Sequence, residues 1–144
     1  MKCVLQRVIE ANCVVDEKLI AKVGHGFLIF TCFEKEDDST TIDKAIHKII
    51  NLRAFDDEDG KMNLSILDVK GEILNISQFT LSWDGRKGHR PSFERSMPAQ
   101  SANLNFEIMT RKLSQNLKCE KGIFGADMKI SLINDGPVTF HLEF

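Results

Sequence analysis

The sequence predicts one compact α/β domain, in which layered, mostly antiparallel or mixed β-sheets form a barrel-like core and two amphipathic helices pack on one side. Three observations support this fold class. The chain has 144 residues, an ordinary length for one domain spanning residues 1–144. Hydrophobic residues make up 42% of it, enough to bury a core without disulfides. Short β-branched runs alternate with turn residues, and two segments change to helical periodicity.

The first third of the chain is predicted to be mostly strand. Residues 3–15 are rich in β-branched and apolar residues, and a polar turn at 16–18 leads into a second strand at 19–23, which suggests an opening hairpin. A break at 24–26 precedes an apolar run at 27–33, typical of a strand covered on both faces.

A helix follows, because apolar residues recur at positions three and four apart: Ile42, Ala45, Ile46, Ile49 and Ile50. Thr40 with Asp43 three residues later predicts a capping box at its start. The acidic stretch 56–60 lacks the ligand pattern of a calcium loop and reads as a solvated turn. Strands are then predicted at 65–69 and 72–81.

The second half begins with a long loop at 82–98, and loops longer than about 12 residues in compact domains are usually functional or disordered. A second helix carries one apolar stripe: Ala102, Phe106, Met109, Leu113 and Leu117. Two final strands are predicted at 128–133 and 138–144, joined by a turn of Asn, Asp, Gly and Pro.

Charge and cysteine content narrow the class of protein. The net charge is −2 and the pI is near 6.1, whereas a dedicated nucleic-acid coat protein is strongly basic, so any RNA contact must come from a local patch. The four cysteines form no C-x-x-C pair and have no histidine at zinc-ligand spacing. We expect buried structural thiols, no metal and a reducing, cytoplasmic location. Gln6 and Arg7 interrupt the first apolar run, so neither a signal peptide nor membrane attachment is expected.

Two stretches are candidates for chemistry because they join polar residues to strand ends. Residues 77–81 (Ser-Gln-Phe-Thr-Leu) could bind an oxyanion through freed backbone amides, or could be an ordinary strand with a solvated Ser and Thr face. Residues 134–139 (Asn-Asp-Gly-Pro-Val-Thr) could be a simple turn, or could hold a cis Gly136–Pro137 bond, although trans is the commoner form.

Two further stretches could bind a ligand. Residues 86–90 carry three fixed positive charges, Arg86, Lys87 and Arg90, which suit phosphate oxygens but also suit a solvated loop. Gly125 and Ala126 leave room for a ligand or for close strand packing. The four histidines have no evident partners, and no nucleophile elbow, P-loop or dinucleotide fingerprint is present. The residues alone predict a soluble α/β protein with an anionic-ligand loop.

In combination, the fragments resemble the D-aminoacyl-tRNA deacylase family along the whole chain. The signature pair is S-Q-F-T-L at 77–81 with N-D-G-P-V-T at 134–139. Shorter similarities are Q-R-V at 6–8, N-L-R at 51–53, G-K-M-N at 60–63, R-K-G at 86–88, R-P-S-F at 90–93 and F-G-A-D-M at 124–128. Gly85, Trp83 and residues 31–33 depart from the family pattern, which concerns loop geometry and tRNA preference.

The resemblance implies a homodimeric, cofactor-free and metal-free hydrolase that cleaves D-amino acids, and glycine, from tRNA. The cis Gly136–Pro137 element would enter the partner subunit's pocket and exclude L-aminoacyl esters by collision. The pocket would hold the 3′ adenosine of the tRNA. The resemblance assigns catalysis there to Ser77, Gln78, Phe79 and Thr80, with the Phe79 and Thr80 N–H groups as donors to the oxyanion. The resemblance assigns lining of the pocket or support of its elements to Arg7, Met128, Val138 and Thr139. It assigns binding of the tRNA acceptor stem to Arg86, Lys87 and Arg90.

Two other functions are compatible with the same residues. A non-catalytic tRNA-binding module would use the basic loop and leave both D and L esters intact. A small-molecule esterase would use Ser77 or Thr80 as a nucleophile.

Overall fold

The first strand organises the sheet because it pairs along both of its edges. A computed structural model describes residues 1–86 and 88–144, so the predicted tRNA contact at Lys87 lies outside the described residues. The strands are β1 (Lys2–Val15), β2 (Lys18–Val23), β3 (Gly26–Cys32), β4 (Phe55–Asp56), β5 (Met62–Leu64), β6 (Glu72–Ser77), β7 (Cys119–Lys121) and β8 (Lys129–Glu143), and the helices are α1 (Ser39–Asn51) and α2 (Ala99–Leu113).

One edge of β1 is occupied by β8, which runs antiparallel to it from the Lys2–Glu143 pair to the Val14–Lys129 pair. The other edge is shared by β3 and β2, both antiparallel to β1. Beyond β3 the sheet continues through β6 and β7 with parallel pairing. The result is a mixed, nearly closed sheet with two helices, which confirms the predicted fold class.

Both helices contribute their apolar stripes to one hydrophobic cluster with β1, β3 and β6. Ile42, Ala45, Ile46 and Ile49 of α1 are buried there, as are Ala102, Phe106, Met109 and Leu113 of α2. The predicted cap of α1 is wrong: the N-cap is Asp38, whose carboxylate accepts from the Thr41 N–H at 2.8 Å. Asp43 instead forms an ion pair with Lys112 of α2.

The strand predicted at residues 65–69 is a turn. The Asp68 carboxylate accepts hydrogen bonds from the Ser65 N–H at 2.8 Å and the Ser65 hydroxyl at 2.7 Å, and Lys70 adopts a positive φ of 52°. A side chain that bonds to its own neighbouring backbone competes with a sheet ladder, and here the local bonds prevail. The strand in this region is β5, immediately before the turn.

The strand predicted at 72–81 ends at Ser77 and is followed by a 3-10 turn, Phe79–Ser82. The two strands predicted at 128–133 and 138–144 are one strand, β8, because pairing with β1 resumes after a bulge. Val8 pairs with Asn134 and Gln6 with Thr139, so residues 135–138 lie opposite Arg7 alone. The short strand β7 was not predicted.

Within the described residues, no helix combines the length and the apolar character that crossing a bilayer requires.

Candidate active site

A cavity of about 480 Å³ opens where β3 and β6 end side by side. Because these strands are parallel, their carboxyl ends meet at one edge, with Thr31 paired to Ser77. Most of the wall is apolar and comes from β3, β6, the start of α2 and residues 124–130; it includes Phe30, Phe33, Ile76, Met97, Phe124 and Ile130. Such a cavity suits a ligand with an apolar body and a few polar atoms.

The polar side of the cavity is the end of β6. Ser77, Gln78 and Phe79 line it, and the Gln78 N–H donates to the Thr31 carbonyl at 2.8 Å. Thr80 lies just outside, where its hydroxyl accepts from Gln78 Nε2 at 2.6 Å. As is usual at the start of a helical turn, the Phe79 and Thr80 N–H groups have no hydrogen-bond acceptor among the described residues.

The peptide between Phe79 and Thr80 is fixed from its carbonyl side. The Phe79 carbonyl accepts from the Ser82 hydroxyl at 2.8 Å and from the Cys32 thiol at 3.5 Å. Since C=O and N–H point in opposite directions in a planar trans peptide, these contacts also fix the direction of the Thr80 N–H. Burial, and secondarily the charge of Glu34, raises the pKa of Cys32 to about 11, so the thiol stays a neutral donor near neutral pH.

A chain of buried polar side chains links β3 and β6 to helix α2 near the cavity. The Thr31 hydroxyl donates to Asn75 Oδ1 at 2.6 Å, Asn75 Nδ2 donates to the Thr110 hydroxyl at 3.0 Å, and that hydroxyl donates to the Phe106 carbonyl at 2.8 Å. Asn75 is fully buried. Neither periodicity nor the motifs predict this chain, although a lone Asn inside the apolar run of β6 indicates a buried polar partner.

The bulge of β8 brings a second group of predicted residues together. The Gly136–Pro137 bond is cis, and both residues are exposed. Buried Arg7 donates from Nε to the Asp135 carbonyl at 3.1 Å and from Nη1 to the Ala54 carbonyl at 2.8 Å. The Val138 N–H donates to Asn134 Oδ1 at 2.8 Å.

Thr139 completes this group, since its hydroxyl accepts from Asn134 Nδ2 at 3.2 Å and from Gln6 Nε2 at 3.4 Å. Among the described residues that line the cavity, none comes from 134–139, whereas Met128 is a lining residue. The fold therefore gathers the predicted site residues into two separate groups within one subunit: the strand end with Met128, and the bulge with Arg7.

The predicted phosphate contacts lie on the loop that follows the 3-10 turn. Arg86 and Arg90 are exposed, and the nearest carboxylate oxygen to Arg86 Nε is that of Asp84 at 4.0 Å. Farther along, the Phe93 ring packs edge-on against Phe79 with centroids 4.9 Å apart. The loop is thus attached to the cavity's polar side by an aromatic contact.

Gly125 and Ala126 line the cavity, in agreement with the open-space alternative rather than close strand packing. Gly125 has a φ of +76°, and a Cβ placed there would meet nothing within 4 Å. Sequence reasoning missed the contributions of Cys32, Ser96 and Met97. The sequence predicts Cys32 only as a buried thiol, and Ser96 and Met97 fall in the long loop, where no periodic pattern marks them.

Comparison with known proteins gives consistent matches over the whole chain. The family model described as D-Tyr-tRNA(Tyr) deacylase matches residues 4–143. A D-aminoacyl-tRNA deacylase from Geotalea daltonii is 48% identical over 99% of this chain and 96% of its own length. The protein of that name from Thermosipho africanus is 49% identical, covering 99% and 97%.

Solved structures agree on the fold. One described as a c-Myc DNA unwinding element binding protein superposes with a TM-score of 0.95 at 36% identity, covering 100% of this chain and 99% of that one. Another, described as a probable eukaryotic D-amino acid tRNA deacylase, gives a TM-score of 0.83, covering 98% and 97% of the two chains. At 15% identity, the second comparison shows likeness of fold alone.

Proposed function

Because this chain belongs to the D-Tyr-tRNA(Tyr) deacylase family, we propose that it hydrolyses the ester bond of D-aminoacyl-tRNA in the cavity at the ends of β3 and β6. The products are a free D-amino acid and tRNA. It is a carboxylic ester hydrolase, and the terminal adenosine carrying the aminoacyl group occupies the cavity. The observation that carries the proposal is the pair of N–H groups at Phe79 and Thr80, which have no acceptor in the described part of the chain and lie beside a cavity of suitable size.

These N–H groups would stabilise the oxyanion that forms when water attacks the ester carbonyl. A ribose hydroxyl of the terminal adenosine assists, and the tetrahedral intermediate collapses to release the ribose oxygen of the tRNA and the amino acid. Losing one such donor typically costs about 2.7–4 kcal/mol of transition-state stabilisation. Fixing the Phe79 carbonyl through Ser82 and Cys32 supports this role, because a preorganised N–H does not need to reorient during the reaction.

The chiral filter would be supplied by a second copy of the chain. Gly136 and Pro137 are exposed and lie outside their own subunit's cavity, which is compatible with insertion into a partner's cavity. There the main chain would collide with an L side chain while a D side chain points away, so glycine would also be accepted. Arg7 supports the element by holding the preceding residue, Asp135.

The basic loop would contact the acceptor stem. Arg86, Lys87 and Arg90 are proposed to bind its phosphates, and affinity should then fall as salt concentration rises. Exposure of Arg86 and Arg90 supports this part of the proposal, as does the packing of Phe93 from the same loop on Phe79. We place the reaction in the cytoplasm, where its tRNA substrate is used.

A matched pair of substrates tests the function. Incubation with D-tyrosyl-tRNA should release the amino acid, while L-tyrosyl-tRNA should survive and glycyl-tRNA should be cleaved. A tRNA-binding module would retard tRNA in a gel and leave every ester intact. Hydrolysis of L and D esters at equal rates would contradict the chiral filter without contradicting the hydrolase.

Side-chain removal separates the backbone mechanism from an esterase with a hydroxyl nucleophile. Ser77→Ala and Thr80→Ala should each retain most activity if the N–H groups carry the reaction. If either hydroxyl is the nucleophile, its removal should abolish turnover, and rapid quenching of the unchanged enzyme should trap an acyl-enzyme. Ser101→Ala, which removes an exposed hydroxyl on α2 outside the cavity, serves as the matched control.

A further inference from the structure

We propose that Trp83 forms a stacking subsite for the unpaired base next to the terminal adenosine of tRNA, in a second cavity adjoining the first. Trp83 follows the 3-10 turn as its C-cap and is 41% exposed, although tryptophan has the largest apolar side chain of any residue. It lines a cavity of about 430 Å³ together with Leu81, Arg86 and Arg95. The inference rests on the proposed function, because it extends the path of the same substrate.

The two cavities share a wall. Glu34 and Ser96 form a β-bridge, supported by bonds from the Lys35 N–H to the Arg95 carbonyl and from the Met97 N–H to the Phe33 carbonyl, both at 3.0 Å. Phe33 and Ser96 line the first cavity, while their chain neighbours Glu34 and Arg95 line the second, so the bridged segments lie between the two cavities.

The 3-10 turn connects the cavities along one rim. Phe79 contributes to the first cavity, and Leu81 and Trp83 contribute to the second. A single strand whose last nucleotide occupies the first cavity would therefore meet Trp83 as it leaves around this turn. All tRNAs end in the unpaired sequence CCA, so the base that reaches Trp83 is the cytosine preceding the adenosine.

The charge around Trp83 favours a base over a phosphate. The side chains lining the second cavity include three cations, Lys2, Arg86 and Arg95, and three anions, Glu34, Asp84 and Glu143. Arg95 Nε lies 3.5 Å from Glu34 Oε1, so much of the positive charge is already compensated. A nearly neutral cavity with an exposed indole matches the flat face of a nucleobase, which stacks on aromatic rings regardless of its identity.

The chain offers a direct reporter because Trp83 is its only tryptophan and it has no tyrosine. Titrating the unmodified protein with the RNA trinucleotide CCA should quench its intrinsic fluorescence. The same trinucleotide with an abasic middle residue keeps every phosphate and the terminal adenosine, and it should bind about tenfold more weakly or worse, with little quenching. Equal quenching by both probes would overturn the proposal in favour of backbone contacts.

Kinetics provide the second arm. Trp83→Leu should raise KM for D-aminoacyl-tRNA about tenfold with little change in kcat, and Trp83→Phe should restore most of the loss, because stacking acts on binding rather than on the reacting atoms. Leu104→Ala removes another exposed apolar side chain, on α2, and is the matched control. Unchanged KM in a folded Trp83→Leu enzyme overturns the subsite. Base-dependent quenching without hydrolysis of any ester would instead contradict the proposed function and leave the subsite standing.

Discussion

Arg7 binds both the main chain and the side chain of Asp135: its Nε lies 3.1 Å from the Asp135 carbonyl oxygen and 3.1 Å from a carboxylate oxygen. The guanidinium also reaches the Ala54 carbonyl and, at 3.3 Å, the Asp56 carboxylate. One buried side chain of β1 thus ties the bulge of β8 to the segment that follows α1. Gly136, the next residue after Asp135, takes its position from this attachment.

Replacing Arg7 should destabilise the fold as well as the bulge. Arg7→Met leaves the Ala54 carbonyl without its donor, and we expect the free energy of unfolding to fall by about 2–4 kcal/mol. Arg7→Lys keeps the charge but cannot reach acceptors on two segments at once, so it should be intermediate. Urea denaturation measures both. Arg53→Lys, at an exposed arginine with one bond to the Asn63 carbonyl, is the control and should change little.

Adding one methyl group at Gly136 should disturb the proposed chiral filter. A Cβ there would lie 2.6 Å from Val138 Cγ2 and 3.2 Å from Arg7 Nη2, at a φ of +125°. We expect Gly136→Ala to lower kcat/KM for D-aminoacyl-tRNA at least tenfold, an effect of about 1.4 kcal/mol. Gly60→Ala has a positive φ of +73° and open space around it, so it controls for backbone strain. Equal activities of the two variants would contradict a role for Gly136.

The buried polar chain predicts a large and coupled effect of Asn75. Asn75→Leu leaves the hydroxyls of Thr31 and Thr110 without a shared partner, and stability should fall by about 2–3 kcal/mol. A double-mutant cycle with Thr110→Val should give a combined cost smaller than the sum, because both changes break one chain. Strict additivity would show that the hydrogen bonds act independently. Asn51→Ala, on the exposed end of α1, is the control.

Acid should weaken the protein through carboxylates that accept backbone hydrogen bonds. The Ser65 N–H, and then its hydroxyl, lowers the pKa of Asp68 from the ordinary 3.8. Likewise, the Gly24 N–H lowers the pKa of Glu72. A lowered folded-state pKa means that the unfolded chain takes up the proton first as pH falls. The stabilisation is therefore present above pH 3.8 for Asp68 and is lost as pH falls below that value.

The acid prediction is checked by urea midpoints measured between about pH 6 and about pH 3. Asp68→Asn should lower stability at the upper end of this range and flatten the dependence on pH. Glu58→Gln, in the exposed acidic turn, is the control and should leave the slope unchanged. An unaltered slope in Asp68→Asn would show that Asp68 contributes nothing to acid sensitivity.

Periodicity predicted those elements whose burial leaves a pattern in the sequence. Both helices and the strands β1, β2 and β3 follow from apolar spacing, because one face or both faces must be buried. The strand predicted at residues 65–69 is wrong because its apolar residues belong to a turn held by Asp68. The prediction of two separate strands at 128–133 and 138–144 is wrong. Gly136 and Pro137 are typical of a turn, but pairing with β1 continues the strand beyond them.

Residue chemistry alone marked residues 77–81, Gly125 and Ala126 as candidates for a ligand site, whereas Arg7 and Met128 were named only by the family resemblance. Ser77, Phe79 and Met128 do line one cavity, and Arg7 does contact the bulge. Cys32 and Met97 could not be predicted, since they reach the cavity through the meeting of β3 with a loop remote in sequence. The spacing of residues along the sequence does not predict this contact between β3 and the loop.

The Lys2–Glu143 pair, which joins β1 to β8, also constrains how the protein is made. During synthesis β1 leaves the ribosome long before β8, the strand that covers its whole edge. Until then β1 presents unpaired backbone groups and apolar side chains to the cell, a known route to aggregation. Closing the sheet therefore waits for a contact between strands that are far apart in the sequence, which slows folding.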